Sequence, residues 1–418
     1  MLDYIESMLN KKLRSNMSYM TLIDLANYML PLITIPYIVR VVGIEKFGVI
    51  IFAYAFIAYF QIVTEYGFKL IGAKDVSIHR HDLKRVGQTL STILSAQLIL
   101  FIVSAIIFVG VLYVFPQINS HKDIFVFSFV MILGNILFPI WFFQGMEEMK
   151  YIAIFNIISR TIYTILIFIL IQAPDDYILI PLLNSLTMLS VGVVSLIFIR
   201  LKFKTKITTP SLESVKHIFV DGWYLFISTI TVNLYTTTNI LLLGGVGSYT
   251  IVGLYSLADK IYGVVVKILH IFNQVIYPHL SQYHCDINCL IQKTKKLLYF
   301  YVAILCIVAS LLFLLSPLII DLMYGVGNDK AVSILQILSL SIVAAPLGGF
   351  FTQYLIIRSK KKEVLRITFK TMLLNFIYVI PLIVFFDAVG LAIAVVLTGF
   401  TQVLLNSQCS HELFRKAV

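Results

Sequence analysis

The sequence predicts an all-α, polytopic membrane protein with about twelve transmembrane helices, arranged as two six-helix lobes with both termini in the cytoplasm. Three observations predict this class: the hydrophobic composition, a succession of long apolar segments, and the bias of Lys and Arg to alternate loops. Hydrophobic residues make up 59% of the 418 and charged residues 13%, with a mean hydropathy of +0.94. A soluble domain has about 25% charged residues, so this chain has too few to cover a globule in water.

The apolar segments have the length that a membrane requires. A helix needs about 20 apolar residues to cross the hydrocarbon core. The predicted helices are 17–42, 47–68, 90–114, 124–145, 152–172 and 178–200 in the first half, and 218–243, 250–278, 296–320, 331–357, 364–386 and 388–408 in the second.

Loop charges predict the orientation of these spans. Of the 32 Lys and Arg residues, 25 fall in segments on the same side as the N-terminus, four on the opposite side and three inside spans. Cytoplasmic loops carry the excess of Lys and Arg, so both termini are expected inside. The net charge of +11 therefore reflects membrane orientation, and nucleic acid is not predicted as a partner.

A basic connector, residues 202–217, divides the chain into an N-lobe of residues 1–205 and a C-lobe of residues 206–418. Six helices return the chain to the same side of the membrane. The lobes are therefore expected to be parallel repeats about an axis along the membrane normal. Similar glycine-containing turns at residues 42–48 and 245–253 follow the first helix of each half.

Polar side chains form helical stripes on spans that would otherwise be apolar. A charged residue at the bilayer centre costs about 2.5–3.5 kcal/mol on insertion scales, so these faces are expected to contact protein or a water-filled cavity. The richest stripes lie in the first two helices of each half, which predicts a cavity between the halves. The striped candidates are Asp24, Asn27, Tyr54, Gln61, Glu65, Arg160, Asp221, Tyr235, Asn239, Lys260 and Lys267, with Asp259 beside the last stripe.

Simpler interpretations exist for several of these residues. Glu65 and Lys69 are spaced i, i+4 and are also consistent with a salt bridge at a helix end. Asp24 and Asp221 lie near the cytoplasmic edge and are within reach of water. Lys260 is harder to explain in this way, because it lies ~15 Å into its span.

Motifs for enzymatic or metal chemistry are missing from the sequence. It has no P-loop, dinucleotide-binding turn, nucleophile elbow or HExxH helix. His279, His284, Cys285 and Cys289 are too loosely spaced for a zinc site. We therefore predict no enzymatic activity, no metal and no cofactor.

Sequences at the helix boundaries resemble bacterial O-antigen and polysaccharide flippases, the Wzx-like members of the multidrug/oligosaccharidyl-lipid/polysaccharide exporter superfamily. The resemblance begins with NYMLPLITIPY at residues 27–37 and continues with EYGF at 65–68. In the second half it is carried by NILLLG at 239–244 and VGLYSLADK at 252–260. The motifs are short, but their order and spacing extend over most of the chain.

The resemblance implies a multi-pass protein of the bacterial inner membrane that acts in lipopolysaccharide biosynthesis. Its expected activity is to move undecaprenyl-diphosphate-linked O-antigen units from the cytoplasmic to the periplasmic leaflet by alternating access. Its expected protein partners are an O-antigen polymerase and a chain-length regulator. A cation-coupled small-molecule exporter of the same superfamily and an integral membrane polymerase or glycosyltransferase are the alternatives.

These expectations give each striped residue a hypothetical role. The cations would hold the diphosphate by charge-assisted hydrogen bonds, the neutral polar side chains would contact sugar hydroxyls, and the carboxylates would pair with the cations or carry a coupling proton or sodium ion. The cations are Lys260, Lys267 and Arg160; the sugar-contacting residues are Asn27, Tyr54, Gln61, Tyr235 and Asn239; the carboxylates are Asp24, Glu65, Asp221 and Asp259.

Overall fold

The computed structural model describes residues 2–206, 208–283, 287–325 and 327–410. The side chains of residues 2–15 and of some residues within helices, including Asp24 and Tyr235, lie outside this description. Every regular element among the described residues is helical, which confirms the predicted all-α class. The chain divides into two compact units, Met1–Asn233 and Leu234–Val418. The predicted lobe boundary at residue 205 stays a prediction.

The two units contain the following elements. The first holds α1 (Leu2–Val42), α2 (Ile44–Glu65), α3 (Phe68–Ile78), α4 (Leu83–Val114), α5 (Pro116–Asn119), α6 (Lys122–Leu137), α7 (Ile140–Gly145), α8 (Met149–Leu170), a 3-10 turn (Pro174–Ile178) and α9 (Leu179–Lys202). Helix α10 (Leu212–Thr236) begins in the first unit, and the second holds α11 (Thr238–Val246), α12 (Tyr249–Ser281), α13 (Ile287–Tyr324), α14 (Asp329–Ile357) and α15 (Lys361–Cys409).

Local chemistry determines where several helices break. Gly43, between α1 and α2, has a φ of 86°, and Gly67, between α2 and α3, has a φ of 78°. No side chain fits at Gly67, because a Cβ there would lie 2.6 Å from the Cβ of Leu225. Asp82 begins α4 by accepting hydrogen bonds from two backbone amides of the first turn, each at 3.1 Å.

Eight helical segments among the described residues are long and apolar enough to span a bilayer. They are Ile44–Ile78, Leu83–Val114, Lys122–Gly145, Met149–Leu170, Pro174–Lys202, Asn288–Tyr324, Asp329–Ile357 and Lys362–Cys409. These segments identify a multi-pass membrane protein. The count of twelve spans and the side of each terminus stay predictions.

Helix α15 is too long for one crossing. Its 49 residues would measure ~74 Å at 1.5 Å per residue, more than twice the ~30 Å hydrocarbon core. Helical geometry is interrupted at Asp387, where φ is 52° and ψ is −131°. The interruption leaves segments on either side that match the predicted spans 364–386 and 388–408.

In the first unit α6 and α9 pack closely through small residues. A Cβ on Gly192 of α9 would lie 2.7 Å from the Cβ of Leu137 and 2.9 Å from the carbonyl oxygen of Gly134 on α6. The hydroxyl of Ser195 donates a hydrogen bond to the carbonyl of Leu137 at 3.1 Å. In lipid, helices gain no hydrophobic stabilisation when they associate. They associate instead through close packing of such small residues and through hydroxyl hydrogen bonds.

Replacing Gly192 with valine is therefore expected to destabilise the first unit. Overpacking of this kind costs about 1–3 kcal/mol. The fraction of monodisperse protein that survives heating in detergent, measured by size-exclusion chromatography, should fall at a lower temperature. Gly110→Val is the matched control, because a Cβ at Gly110 has no atom within 4 Å. Equal melting of the two variants would contradict the packing argument.

The second unit is organised around α14, which packs against α12, α13 and α15. Buried side-chain amides donate to backbone carbonyls of α14: Asn273 to Pro346 at 2.8 Å and Asn406 to Gly348 at 3.1 Å. Each amide thereby fixes a neighbouring helix against α14.

Candidate functional site

A polar cluster inside the first unit brings together three residues that the sequence analysis selected. The guanidinium Nε of Arg160 on α8 donates a hydrogen bond to the Oδ1 of Asn27 on α1 at 3.0 Å. The hydroxyl of Tyr54 on α2 accepts a hydrogen bond from the Nδ2 of Asn184 on α9 at 3.4 Å, and Tyr163 on α8 lies near the same hydroxyl. We call Asn27, Tyr54, Arg160, Tyr163 and Asn184 the Arg160 cluster.

The partners of Arg160 among the described side chains are neutral. Among the side chains that the structure describes, no carboxylate lies within 4 Å of this guanidinium. Asn27 bonds to Nε, and the terminal nitrogens have no hydrogen-bond partner among the described side chains. Guanidinium groups bind phosphate oxygens in a bidentate manner, and the neighbouring phenols and amides match hydroxyl groups. The cluster is therefore suited to an anionic, hydroxyl-bearing ligand.

A second feature of the first unit is a polar cavity of about 180 Å³, which we call the Gln97 cavity. Gln61 and Glu65 lie on its α2 wall, where the Nε2 of Gln61 donates to the Oε1 of Glu65 at 3.0 Å. The remaining walls are formed by Lys69, Gln97, Asn135, Phe138, Ile140 and Trp141. The alternative interpretation of Glu65 as the partner of Lys69 is wrong in this structure, because among the described residues Glu65 has no cation within 4 Å and bonds to Gln61.

The second unit contains a cavity of about 290 Å³ that is lined in part by Asp259 on α12, and we call it the Asp259 cavity. Tyr262 donates to the hydroxyl of Ser341 at 3.0 Å across it. The Oδ1 atoms of Asn239 and Asn375, both of which line the cavity, are buried and have no hydrogen-bond partner among the described atoms. The cavity thus presents one carboxylate and two amide oxygens, all hydrogen-bond acceptors.

The two predicted lysines lie on the same helix as Asp259. Lys260 and Lys267 are exposed in the described chain and are seven residues apart on α12. Seven residues make about two helical turns, so the two lysines lie on one face. Asp259 is about 100° away from Lys260 on the helix and lines the cavity instead.

The remaining predicted residues fall elsewhere or outside the described side chains. Asp221 is exposed on α10, and its carboxylate lies 3.0 Å from the Nδ1 of His217 on the same helix. The side chains of Asp24, Tyr235 and His279 are outside the described part, as are residues 284 and 285. The predicted roles of these residues therefore stay predictions.

Several residues that line these sites were not predicted from the sequence. Asn184 and Gln97 each lie alone in an apolar span, so no stripe marked them. Asn135 lies outside the polar stripes, and Trp141 counts as an apolar residue in the composition. Asn375 and Thr398 on α15, joined by a 2.8 Å hydrogen bond, lie three helices beyond α12, the last striped helix. A search for single amides in apolar spans would have found Gln97, Asn184 and Asn375.

Comparisons with known proteins agree with this architecture. Residues 13–284 match the model of a family described as polysaccharide biosynthesis protein. Two relatives, both named "Putative O-antigen transporter", cover almost the whole chain. The relative from Escherichia coli (strain K12) is 29% identical over 394 residues, 92% of this chain and 94% of its own length. The relative from Shigella dysenteriae is 25% identical over 399 residues, 94% of this chain and 98% of its own length.

Two solved structures share the fold. An inward-facing multidrug resistance MATE family transporter of the MOP superfamily superposes with a TM-score of 0.73 at 13% identity, over 93% of this chain and 96% of that one. The lipid II flippase MurJ in its inward closed conformation gives a TM-score of 0.71 at 16% identity, over 94% and 87%. At such low identity these matches show the fold alone.

The comparisons confirm the resemblance to the polysaccharide flippases that the helix-boundary sequences carry. The named relatives are transporters, in agreement with the prediction that the chain is not an enzyme. The matched segment covers well over half of the 418 residues. The chain belongs to the polysaccharide biosynthesis protein family.

Proposed function

We propose that this protein flips an undecaprenyl-diphosphate-linked O-antigen repeat unit from the cytoplasmic to the periplasmic leaflet of the bacterial inner membrane. The family match and the names of the relatives support a role in polysaccharide export. The observation that carries the proposal is Arg160, a cation held by Asn27 inside a membrane helix bundle. An intramembrane cation is expensive and marks a substrate pathway, and its charge matches a diphosphate.

In this proposal different polar residues bind different parts of the cargo. Arg160, Lys260 and Lys267 hold the diphosphate, while the polyprenyl tail stays in lipid. Asn27, Tyr54 and Asn184 contact sugar hydroxyls. The same proposal includes twelve spans, two six-helix lobes of residues 1–205 and 206–418, cytoplasmic termini, and alternating access as the lobes rock around the bound cargo. An O-antigen polymerase and a chain-length regulator are the proposed protein partners.

The Asp259 cavity is the proposed site of energy coupling. Hard monovalent cations and protons are held by oxygen atoms, and the cavity offers the Asp259 carboxylate together with the free oxygens of Asn239 and Asn375. Binding of a proton or a sodium ion there would favour one of the two access states. Arg160 and Asp259 then serve different ligands, the cargo anion and the coupling cation.

Deleting the gene from its host tests the proposal directly. Lipid-linked repeat units are expected to accumulate in the cytoplasmic leaflet, where a membrane-impermeant glycosidase or lectin added to intact spheroplasts cannot reach them. Expression of the wild-type chain should restore access and surface polysaccharide. Normal access in the deletion strain would overturn the proposal, and a change confined to drug sensitivity would identify a small-molecule exporter instead.

A further inference from the structure

The Gln97 cavity contains polar groups that no described protein atom satisfies. Gln97 is 6% exposed and Trp141 is 3% exposed. The Oε1 of Gln97 and the Nε1 of Trp141 have no hydrogen-bond partner among the described atoms. One is an acceptor and the other a donor, and both residues line the same cavity. Buried polar groups are nearly always hydrogen-bonded, so this pair indicates a site for a ligand that both donates and accepts.

The charges around the cavity indicate a neutral ligand. Glu65 and Lys69 contribute one negative and one positive charge, and the other polar side chains are neutral. The Gln61 amide already donates to the Glu65 carboxylate at 3.0 Å. An anion would meet Glu65, and a cation would meet Lys69. A ligand that bears hydroxyl groups satisfies the whole set, because a hydroxyl group is a donor and an acceptor at once.

Size and shape restrict the ligand further. The volume of about 180 Å³ is below the ~300 Å³ at which pockets for drug-sized ligands begin. It equals the volume of roughly six molecules of liquid water at ~30 Å³ each. A volume of this size suits one sugar ring. The indole of Trp141 supplies a flat apolar wall, and Gly72 fixes it, since a Cβ on Gly72 would lie 2.4 Å from the indole Cε3.

We propose that the Gln97 cavity is a subsite for one neutral sugar ring of the lipid-linked cargo. A ring hydroxyl donates to the Gln97 Oε1, another accepts from the Trp141 Nε1, and the Glu65 carboxylate accepts a third hydrogen bond. The C–H face of the ring packs on the indole. The link to the cargo rests on the proposed function, whereas the binding of a sugar does not. The diphosphate belongs to the Arg160 cluster, so this subsite would discriminate between repeat units by their sugars.

The chain provides its own reporter for this subsite. It has two tryptophans, Trp141 in the cavity and Trp223 half-exposed on α10. In purified Trp223→Phe protein, with excitation selective for tryptophan, the tryptophan emission comes from Trp141 alone. Titration with neutral methyl glycosides of glucose, galactose, rhamnose and N-acetylglucosamine is expected to change that emission saturably for at least one sugar. Half-saturation on the order of millimolar is expected, because one ring makes few contacts.

Matched variants separate a specific site from a solvent effect. Trp141→Phe protein, which emits from Trp223, is expected to show no saturable change. Adding Gln97→Met to the Trp223→Phe protein removes one hydrogen-bond partner and should raise the half-saturating concentration about tenfold or more. Gln172→Met makes the same replacement at an exposed glutamine that does not line the cavity and should leave the titration unchanged.

The possible results divide cleanly. A flat Trp141 titration with every neutral glycoside, or an equal effect of the two methionine variants, overturns the subsite. Binding of glucose 1-phosphate without binding of methyl glucoside also overturns it, because the site would then recognise an anion. A third outcome is that the purified protein binds a glycoside saturably but the gene deletion causes no accumulation of lipid-linked units. That outcome would refute the flippase proposal and still support the sugar site.

Discussion

Replacing Arg160 with alanine is expected to abolish surface polysaccharide while leaving the inserted protein in place. The guanidinium is the cation of the Arg160 cluster, and Asn27 holds only its Nε, at 3.0 Å. Removing one partner of a desolvated charge-assisted contact costs about 2–5 kcal/mol. At 1.4 kcal/mol per tenfold, binding of the diphosphate should weaken by a factor of roughly 30 to several thousand. The readout is the amount of surface polysaccharide per unit of membrane-inserted protein.

The control for this variant is Arg200→Ala. Arg200 is exposed at the end of α9 and lines neither cavity. Its replacement should change polysaccharide output by no more than a few-fold. Arg160→Lys retains the charge without the bidentate fork and should give intermediate output. Normal output from Arg160→Ala would remove Arg160 from the transport pathway.

Asn27→Asp offers a test in the opposite direction. The aspartate would place a carboxylate oxygen beside the Arg160 Nε, where the amide oxygen now lies at 3.0 Å. The new ion pair should preserve thermal stability but compete with an anionic cargo. Polysaccharide output is therefore expected to fall although the protein is as stable as before. An output equal to that of the unmodified protein would show that the cluster does not bind an anion.

Much of the fold was predictable because apolar length is a strong signal in membrane proteins. The predicted and observed helices differ where the hydropathy of a segment does not indicate whether its backbone is helical. Helix α3, Phe68–Ile78, was not predicted as a separate element, because its charged residues hide it from a hydropathy window. Helix α13 begins at Ile287, nine residues before the predicted 296, since three lysines lower hydropathy without interrupting the helix. The break before Ile140 follows from Pro139, which cannot donate a backbone hydrogen bond.

The site was predictable only in part. Helical spacing identified the faces that carry Asn27, Tyr54 and Arg160, since residues three or four apart share a face. It did not show that Arg160 meets Asn27, 133 residues away, because that depends on how the helices pack. Gln97 escaped notice for a related reason: one amide in an apolar span has no pattern, and only the three-dimensional neighbours reveal a cavity.

Replacing Asp259 with asparagine is expected to uncouple transport from its driving ion. The carboxylate is the charged group among the residues that line the Asp259 cavity. Asparagine has nearly the same shape as aspartate, so the variant should melt at about the same temperature as the unmodified protein. In proteoliposomes an imposed proton or sodium gradient should accelerate flipping by the unmodified protein. If the gradient drives the transport cycle, it should accelerate flipping by the unmodified protein at least about tenfold. The Asp259→Asn variant should lose this acceleration.

Two further variants distinguish a proton from a sodium ion at Asp259. A proton needs only the carboxylate, whereas a sodium ion needs several oxygen ligands. If sodium is the coupling ion, Asn239→Leu and Asn375→Leu should each raise the sodium concentration required for flipping, because each removes a free cavity oxygen. If a proton is used, both should retain acceleration by a proton gradient. Asp329→Asn, at an exposed position on α14, is the control for lost charge, and an Asp259→Asn protein that still responds to a gradient would place the coupling site elsewhere.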